Sequence, residues 1–125
     1  MNPYNFKTYS ELFLHTTENY NNPKFLNYLH NDKYQSISSN DFKNKVICLS
    51  LALRNLGMKK DDTVAIFANS SPFWLIFDFA IHQIGAISVP IFANRWIRDF
   101  NFHVADANIK YMFIDKEERL QDIEE

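Results

Sequence analysis

Asp78 and His82 are the residues of this 125-residue chain whose types and spacing come nearest to catalytic chemistry. They stand four positions apart, so a helix would bring the carboxylate within one turn of the imidazole, where it can orient a general base. An ordinary ion pair on the less buried side of a helix requires the same spacing. We favour the ion pair, and the catalytic interpretation stays as the alternative.

Cys48 is the single cysteine, which excludes an internal disulfide. Its segment has the pattern of an amphipathic helix, and Lys45 is its only basic neighbour at helical spacing. A thiol becomes reactive where nearby positive charge lowers its pKa. We therefore predict that Cys48 is a small core residue and not a reactive thiol.

Metal and phosphate motifs are missing from the sequence. The four histidines, His15, His30, His82 and His103, lie far apart and have no second ligand at the spacing of a metal site. The two glycines, Gly57 and Gly85, are too few for a dinucleotide fingerprint or a phosphate loop. The sequence predicts no metal site and no cofactor bound by this chain.

Composition narrows the class of protein further. The net charge of -2 and the pI near 6.1 give no basic surface for nucleic acid. The first ten residues lack the pattern of a secretory signal, so we expect a cytoplasmic location. The longest apolar run is interrupted by Asp78 and is far shorter than the roughly 20 residues that a membrane span requires.

Residues 1–38 are predicted to form a helix and a short β-hairpin. The helix is expected from Tyr9 to about Glu18, and two strands are expected around the turn Asn31-Asp32-Lys33. We treat this segment as separate from residues 39–125.

Residues 39–125 have the pattern of an α/β subdomain. A helix is predicted from about Asn40 to Leu56, because apolar residues recur there at spacings of three and four. They are Phe42, Val46, Leu49, Leu53 and Leu56. Ser38 or Ser39 suits its N-cap, and Gly57 suits its C-terminal cap.

Three predicted strands follow, separated by helices. They are Thr63–Ala68, Ala86–Phe92 and Tyr111–Asp115, with helices from Pro72 to Ile84, over the segment RWIRDFNFHVADAN, and from the tail KEERLQDIEE. Pro90 favours a position of the second strand near the sheet edge, or a bulge. The fold class is therefore α/β, a partial doubly wound and mainly parallel sheet with helices on both faces.

Candidate ligand contacts follow from this arrangement. Ligands of open α/β sheets bind beyond the carboxyl ends of the strands, which indicates Asn69, Ser70 and Asn94 as substrate-lining residues. For Asn69 and Ser70 the alternative, which we favour, is that they only cap the next helix. Trp74 and the phenylalanines around it either line an apolar tunnel or form ordinary core.

The order of these segments resembles the N-terminal region of the AMP-forming acyl-CoA synthetases, within the adenylate-forming superfamily. The matching positions are Ala52, Leu53, Leu56, Gly57, Asp62, Val64, Ala65, Ile66, Asn69, Ser70, Trp74, Gly85, Ala86, Val89 and Pro90. The segments YQSISSNDFKNKV and HVADANIKYMFID also resemble family motifs, so the resemblance runs from about Tyr9 to Asp115. This chain departs from the family pattern at Asp61, where Gly is usual, and at Phe73, where Glu is frequent.

The resemblance implies the function of a longer parent protein. Such a parent converts ATP and a carboxylic acid, here preferably a long-chain fatty acid, into an acyl-adenylate and then an acyl-CoA. ATP, Mg²⁺ and CoA are implied as cofactors of the parent, whose catalytic parts would lie beyond Glu125. This chain would then have no catalytic residues and no activity alone, and its partner would be the rest of the synthetase. Homo-oligomers and peripheral membrane contact are compatible with such an enzyme.

Two alternatives stay open at the level of sequence. A chain of 125 residues is long enough to fold alone, as a non-catalytic module that binds a small molecule or a protein. A complete enzyme that uses Asp78 and His82 would instead show hydrolytic turnover.

Overall fold

The structure, a computed structural model, describes residues 5–92 and 97–124. Its elements in chain order are α1 (Tyr9–Asn19), β1 (Leu26–His30), β2 (Lys33–Ile37), α2 (Ser39–Asn55), β3 (Thr63–Phe67), α3 (Pro72–Gln83), β4 (Ile87–Ile91), α4 (Ile97–Asp106), β5 (Tyr111–Ile114) and α5 (Glu118–Glu124). The described strands form an antiparallel pair, β1–β2, and a parallel sheet in the order β4-β3-β5.

The parallel sheet is covered on both faces because β3 is apolar on both of its sides. Val64 and Ile66 belong to a core cluster with residues of α2 and α3. Ala65 and Phe67 belong to a second cluster with residues of α4, β5 and α5. This confirms the predicted parallel sheet with helices on both faces. Pro90 lies on β4, at the edge of the described sheet, as predicted.

Helix ends follow the capping residues of the sequence. The Ser38 side chain accepts a hydrogen bond from the Asp41 backbone N–H and caps α2, and Ser71 does the same for α3 through the Trp74 N–H. Gly57 and Gly85 follow the ends of α2 and α3 with φ of 95° and 75°, the left-handed conformation that glycine adopts without steric cost.

The predicted helix and hairpin of the N-terminal segment are present, and α1 packs onto α3. Phe13 of α1 is 2% exposed and lies 5.5 Å from the ring of Phe79 and 5.9 Å from that of Phe42. Asn31 and Asp32 form the hairpin turn with φ of 49° and 58°. Such values suit a two-residue hairpin turn.

Two predictions about α2 are wrong. Cys48 is exposed, because it lies two positions from Val46 and therefore about 200° around the helix from the buried stripe. Leu56 is 73% exposed, because α2 ends at Asn55 and Leu56 has become its C-cap.

No helix in the described parts of the chain is long and apolar enough to cross a membrane.

Candidate functional site

The order of the strands locates a crevice between β3 and β5. The chain goes from β3 to β4 on one side and then passes back across to β5 on the other side of β3. The helices that follow β3 and β5, α3 and α5, lie on opposite faces of the sheet. In doubly wound folds, ligands bind where adjacent strands send their chains in opposite directions in this way.

The two loops of this crevice are joined by a strand-end clamp, formed by Asn69, Asp115 and Arg119. The Asn69 backbone N–H donates to Asp115 Oδ2 at 2.9 Å. Arg119 Nε donates to Asp115 Oδ1, and its Nη2 donates to Oδ2 at 3.4 Å. The Arg119 guanidinium also lies 4.7 Å from the centre of the Phe67 ring. The loop after β3 is thus fixed to the start of α5.

Electrostatics hold the strand-end clamp in its charged state. The hydrogen bond from Arg119 lowers the pKa of Asp115 below its usual value, the Asn69 N–H lowers it further, and burial opposes both. Arg119 is only 8% exposed, whereas Asp115 is an exposed residue, so only the cationic half of the ion pair is shielded from water. Since the carboxylate is already paired, we assign Asp115 a positioning role and not that of a general base.

An apolar cavity of about 240 Å³, the strand-end cavity, opens beside the clamp. Trp74, Phe77 and Phe113 line it together with Ser71 and Asp115. The rings of Phe77 and Phe113 lie 4.5 Å apart. A dry cavity of about 150 Å³ holds a benzene molecule, so this one has room for an aromatic ring or a short alkyl segment.

A wider groove of about 640 Å³, the hairpin groove, lies between β1 and the start of α3. Tyr28 and His30 line it on the hairpin side, and Ser70 and Phe73 line it on the other. The rings of Tyr28 and Phe73 are 6.3 Å apart across it. Ser70 therefore contributes to this groove and not to the strand-end cavity.

The predicted lining residues occupy different positions. Asn69 contributes its backbone N–H to the clamp and Ser70 lines the hairpin groove, while both side chains are exposed. The alternative that these two residues cap α3 is wrong, because Ser71 is the cap. Asn94 lies outside the described residues. Contact of Asn69, Ser70 and Asn94 with substrate stays a prediction.

Asp78 and His82 form a pair under α1, away from the crevice. His82 Nδ1 lies 3.6 Å from Asp78 Oδ1 and donates to the Asp78 backbone carbonyl at 2.7 Å. The ring of Tyr9 covers the His82 ring at 4.7 Å. Burial, and next the charge of Asp78, raise the pKa of Tyr9.

We expected this pair on the less buried side of its helix, and for Asp78 that prediction is wrong. Asp78 is only 9% exposed, because α1 packs over this part of α3. Neither Asp78 nor His82 lines the strand-end cavity or the hairpin groove. The arrangement is that of an interhelical contact. Among the residues that the structure describes, no cluster of three or more His, Cys, Asp or Glu side chains is placed to hold a metal ion.

The sequence patterns did not indicate Arg119 or Asp115 as residues of the candidate site. Asp115 was assigned only as the last residue of a strand, and Arg119 only as part of a helical tail. Their spacing of four residues is the available signal, because it suits an ion pair across one helical turn. The third member of the clamp, the backbone N–H of Asn69, could not be predicted in this way, because every residue type except proline supplies a backbone N–H.

The fold defines a class of protein, the doubly wound α/β proteins with a parallel sheet covered by helices on both faces. Residues 13–125 match the family described as AMP-binding enzyme. The match covers most of the chain, and the chain belongs to this family.

Known proteins of similar sequence and structure agree with this assignment. The long-chain-fatty-acid–CoA ligase FadD15 of Mycobacterium bovis is 31% identical over 70 residues, which are 56% of this chain and 12% of that protein. The N-terminal subdomain of Klebsiella oxytoca NpsA, in complex with 3-hydroxyanthranilyl-AMSN, superposes with a TM-score of 0.77 at 26% identity. That superposition covers 90% of this chain and 28% of the NpsA chain.

The anthranilate CoA ligase AuaEII, in complex with anthranoyl-AMP, has the same fold, with a TM-score of 0.77 at 20% identity over 92% of this chain and 21% of its own. The similarity to FadD15 spans about one eighth of that ligase, so 125 residues correspond to a small part of such proteins.

Proposed function

We propose that this chain is the N-terminal portion of an ATP-dependent acid–thiol ligase. In the complete protein a carboxylate attacks the α-phosphorus of ATP, releases pyrophosphate and forms an acyl-adenylate, and the thiol of CoA then displaces AMP. The observation that carries the proposal is the family match over residues 13–125. The parallel sheet with its crevice would form one wall of the site.

The acid is proposed to be a long-chain fatty acid. The similarity to the long-chain-fatty-acid–CoA ligase FadD15 supports this choice, and so does the apolar lining of the strand-end cavity by Trp74, Phe77 and Phe113. An aryl acid is the second candidate, because the similar NpsA subdomain was observed with a 3-hydroxyanthranilyl compound. A cavity lined by aromatic rings suits either kind of apolar group.

The residues of this chain do not suit a site for ATP or Mg²⁺. The sequence has two glycines and no phosphate loop, and the described residues offer no group of metal ligands. We therefore assign nucleotide, metal and CoA binding to other parts of the proposed ligase. The role of these residues is to hold the crevice in shape, and the 125-residue chain alone is expected to be inactive. The alternative is a free-standing binding module.

The test is to express the complete reading frame that contains these residues and to measure acid-dependent exchange of pyrophosphate into ATP. We expect exchange with palmitate, weaker exchange with 3-hydroxyanthranilate, and none with the 125-residue chain. Absence of exchange with every acid would contradict the ligase. Faster exchange with 3-hydroxyanthranilate would replace the fatty acid by an aryl acid and leave the ligase intact.

A variant of the strand-end cavity tests whether this chain contributes to acid selection. Trp74→Ala should raise KM for the preferred acid and leave KM for ATP unchanged, since Trp74 lines the apolar cavity. Tyr34→Ala is the matched control, because Tyr34 is an aromatic residue on the hairpin that is 83% exposed. Equal KM values for the acid in the two variants would exclude the strand-end cavity as its site.

A further inference from the structure

A basic cavity of about 310 Å³ lies at the opposite end of the sheet from the strand-end clamp. Arg54, Lys59 and Lys60 line it, together with Met58, Gln83 and Ile84. It is located where α2 and α3 end, before the first residues of β3 and β4. The six lining residues include three positive side chains and no carboxylate. The chain as a whole, by contrast, has a net charge of -2.

Among the described residues, no carboxylate lies within 4 Å of the charged groups of Arg54, Lys59 or Lys60, which are exposed. The hydrogen bond from Lys110 is the main cause that lowers the pKa of the Asp62 carboxylate, and the charge of Lys59 helps to lower it. The nearby carboxylate of Asp62 is occupied elsewhere, because it accepts from Lys110 Nζ at 2.9 Å and from the Lys59 backbone N–H at 2.9 Å. The described ion pairs involve Lys43, His82, Lys110 and Arg119 and none of the three cavity cations.

The basic side chains are not needed to cap the two helices. At the end of α2, Met58 N–H donates to the Leu53 carbonyl and Gly57 N–H to the Arg54 carbonyl. At the end of α3, Ala86 N–H donates to Ile81 and Gly85 N–H to His82. These are the bonds of the glycine-terminated helix end. The cations therefore exceed what helix termination requires, although they do offset the two helix dipoles.

Gln83 supplies the second observation. Its side-chain Nε2 is buried and has no hydrogen-bond partner among the described residues, whereas nearly all buried polar groups in proteins are paired. Gln83 lines the same basic cavity as the three cations. The Nε2 atom is fully buried, so a rotation of the Gln83 side chain is required before this amide can donate to an anion in the cavity.

The stem of Lys60 lies close to Gly85 at the end of α3. A Cβ at Gly85 would lie 3.1 Å from Lys60 Cγ, so the glycine lets the Lys60 stem lie across the end of α3. A stem fixed in this way loses less conformational entropy when its ammonium group binds an anion.

We propose that the basic cavity is a binding site for a small soluble anion that carries phosphate, of the size of phosphate or pyrophosphate. Its volume is at the lower end of the roughly 300–1,000 Å³ typical of small-molecule sites. Lysine and arginine with an amide donor are the groups that recognise phosphate oxygens. The inference is independent of the proposed ligase activity, because the basic cavity is remote from the crevice between β3 and β5.

The test is a titration of the ¹⁵N-labelled 125-residue chain with pyrophosphate at constant ionic strength. The chain has only two glycines, and both follow the helices that end at the basic cavity, so their amide signals are isolated reporters. We expect saturable shifts of Gly57 and Gly85 that sodium chloride does not reproduce. Equal shifts with chloride, or none with phosphate and pyrophosphate, would overturn the proposal.

Variants separate a specific site from general attraction. Lys60→Gln should weaken pyrophosphate binding about fivefold or more, because it removes a charge-assisted contact. Lys33→Gln, which removes the same charge in the exposed hairpin turn, should leave it unchanged. Similar losses in both variants would indicate nonspecific attraction and contradict the site.

The variant Gln83→Met distinguishes a role in anion binding from a purely structural role of this side chain. Removing an unpaired buried amide should raise the melting temperature of the free chain, while the rise in melting temperature caused by pyrophosphate should shrink. An unchanged pyrophosphate effect would exclude Gln83. Binding to phosphatidylcholine vesicles containing phosphatidic acid, without binding of pyrophosphate, would replace the soluble anion by a lipid surface.

Discussion

Asp115 is the residue on which the crevice between β3 and β5 depends most. Its carboxylate accepts from the loop after β3 and from Arg119 of α5. Asp115→Asn keeps the shape and one acceptor oxygen but removes the negative charge that contacts the largely buried Arg119. We expect the free energy of unfolding at pH 7, measured by urea denaturation, to fall by about 1 to 2 kcal/mol, because Asp115 itself is exposed.

The effect of pH follows from the lowered pKa of Asp115. A carboxylate with a lower pKa in the folded state stabilises the protein above its unfolded pKa of about 3.9. This contribution is lost as the pH falls through the folded pKa. The difference in unfolding free energy between wild type and Asp115→Asn should therefore shrink as the pH falls below about 4. A difference that stays constant over this range would contradict the assignment.

Substitutions in the loop from Asn69 to Ser71 identify the residue that caps α3. Ser71→Ala removes the acceptor for the Trp74 N–H and should cost about 1 kcal/mol of unfolding free energy. Asn69→Ala should cost little, because its backbone N–H makes the clamp, and Ser70→Ala should cost little because its side chain is exposed. Thermal melts of the three variants check this order. A loss in Ser70→Ala as large as that in Ser71→Ala would contradict it.

At the scale of elements, a substitution in α1 tests whether residues 1–38 and residues 39–125 are two separate folding units. Phe13 is 2% exposed and belongs to the same core cluster as Val46 of α2 and Val64 of β3. Phe13→Ala should therefore lower the free energy of unfolding by about 3 to 5 kcal/mol. Leu14→Ala, in the same helix but 40% exposed, should change it by less than about 1 kcal/mol.

Two probes make this prediction sharper. In a single cooperative unit, circular dichroism and tryptophan fluorescence lose their signals at the same urea concentration, and Phe13→Ala should lower both midpoints together. If residues 1–38 form a separate unit, the midpoint reported by the two tryptophans, Trp74 and Trp96, will stay where it is in the wild type, because both belong to residues 39–125.

The elements that sequence reasoning predicted well are those whose signal is local. The β-branched and apolar run of β3 and the spacing of Phe42, Val46 and Leu53 in α2 each depend on neighbouring residues. The strand-end clamp was not predicted, because it joins Asn69 to Asp115 across 46 positions through a backbone group. The exposure of Cys48 was missed because its assignment to the core rested on the usual burial of cysteine, although its spacing of two residues from Val46 places it off the buried stripe.

At the scale of the whole molecule, the described surface carries many apolar side chains. Those more than half exposed are Tyr20, Leu29, Tyr34, Leu51, Leu56, Phe73, Phe92 and Phe102. Leu29 and Phe73 line the hairpin groove together. Each outer strand of the described parallel sheet, β4 and β5, also pairs on one side only. Free strand edges and exposed apolar groups favour association.

If the chain is a part of a larger ligase, these surfaces are covered in the complete protein. We then expect the 125-residue chain to self-associate in sedimentation velocity and to enhance the fluorescence of a hydrophobic dye, and the product of the complete reading frame to do neither. A monodisperse, dye-silent chain with a sharp melt would instead support the free-standing binding module.

Phe73→Glu tests where the dye binds. Phe73 is 53% exposed in the first turn of α3, where a carboxylate interacts favourably with the helix dipole. The variant should therefore keep or raise the melting temperature while it lowers dye fluorescence. Phe102→Glu, on α4 and 64% exposed, is the matched control outside the hairpin groove. A larger loss of dye fluorescence in Phe73→Glu than in Phe102→Glu would identify the hairpin groove as the main uncovered surface, whereas equal losses would indicate that apolar exposure is spread over the molecule.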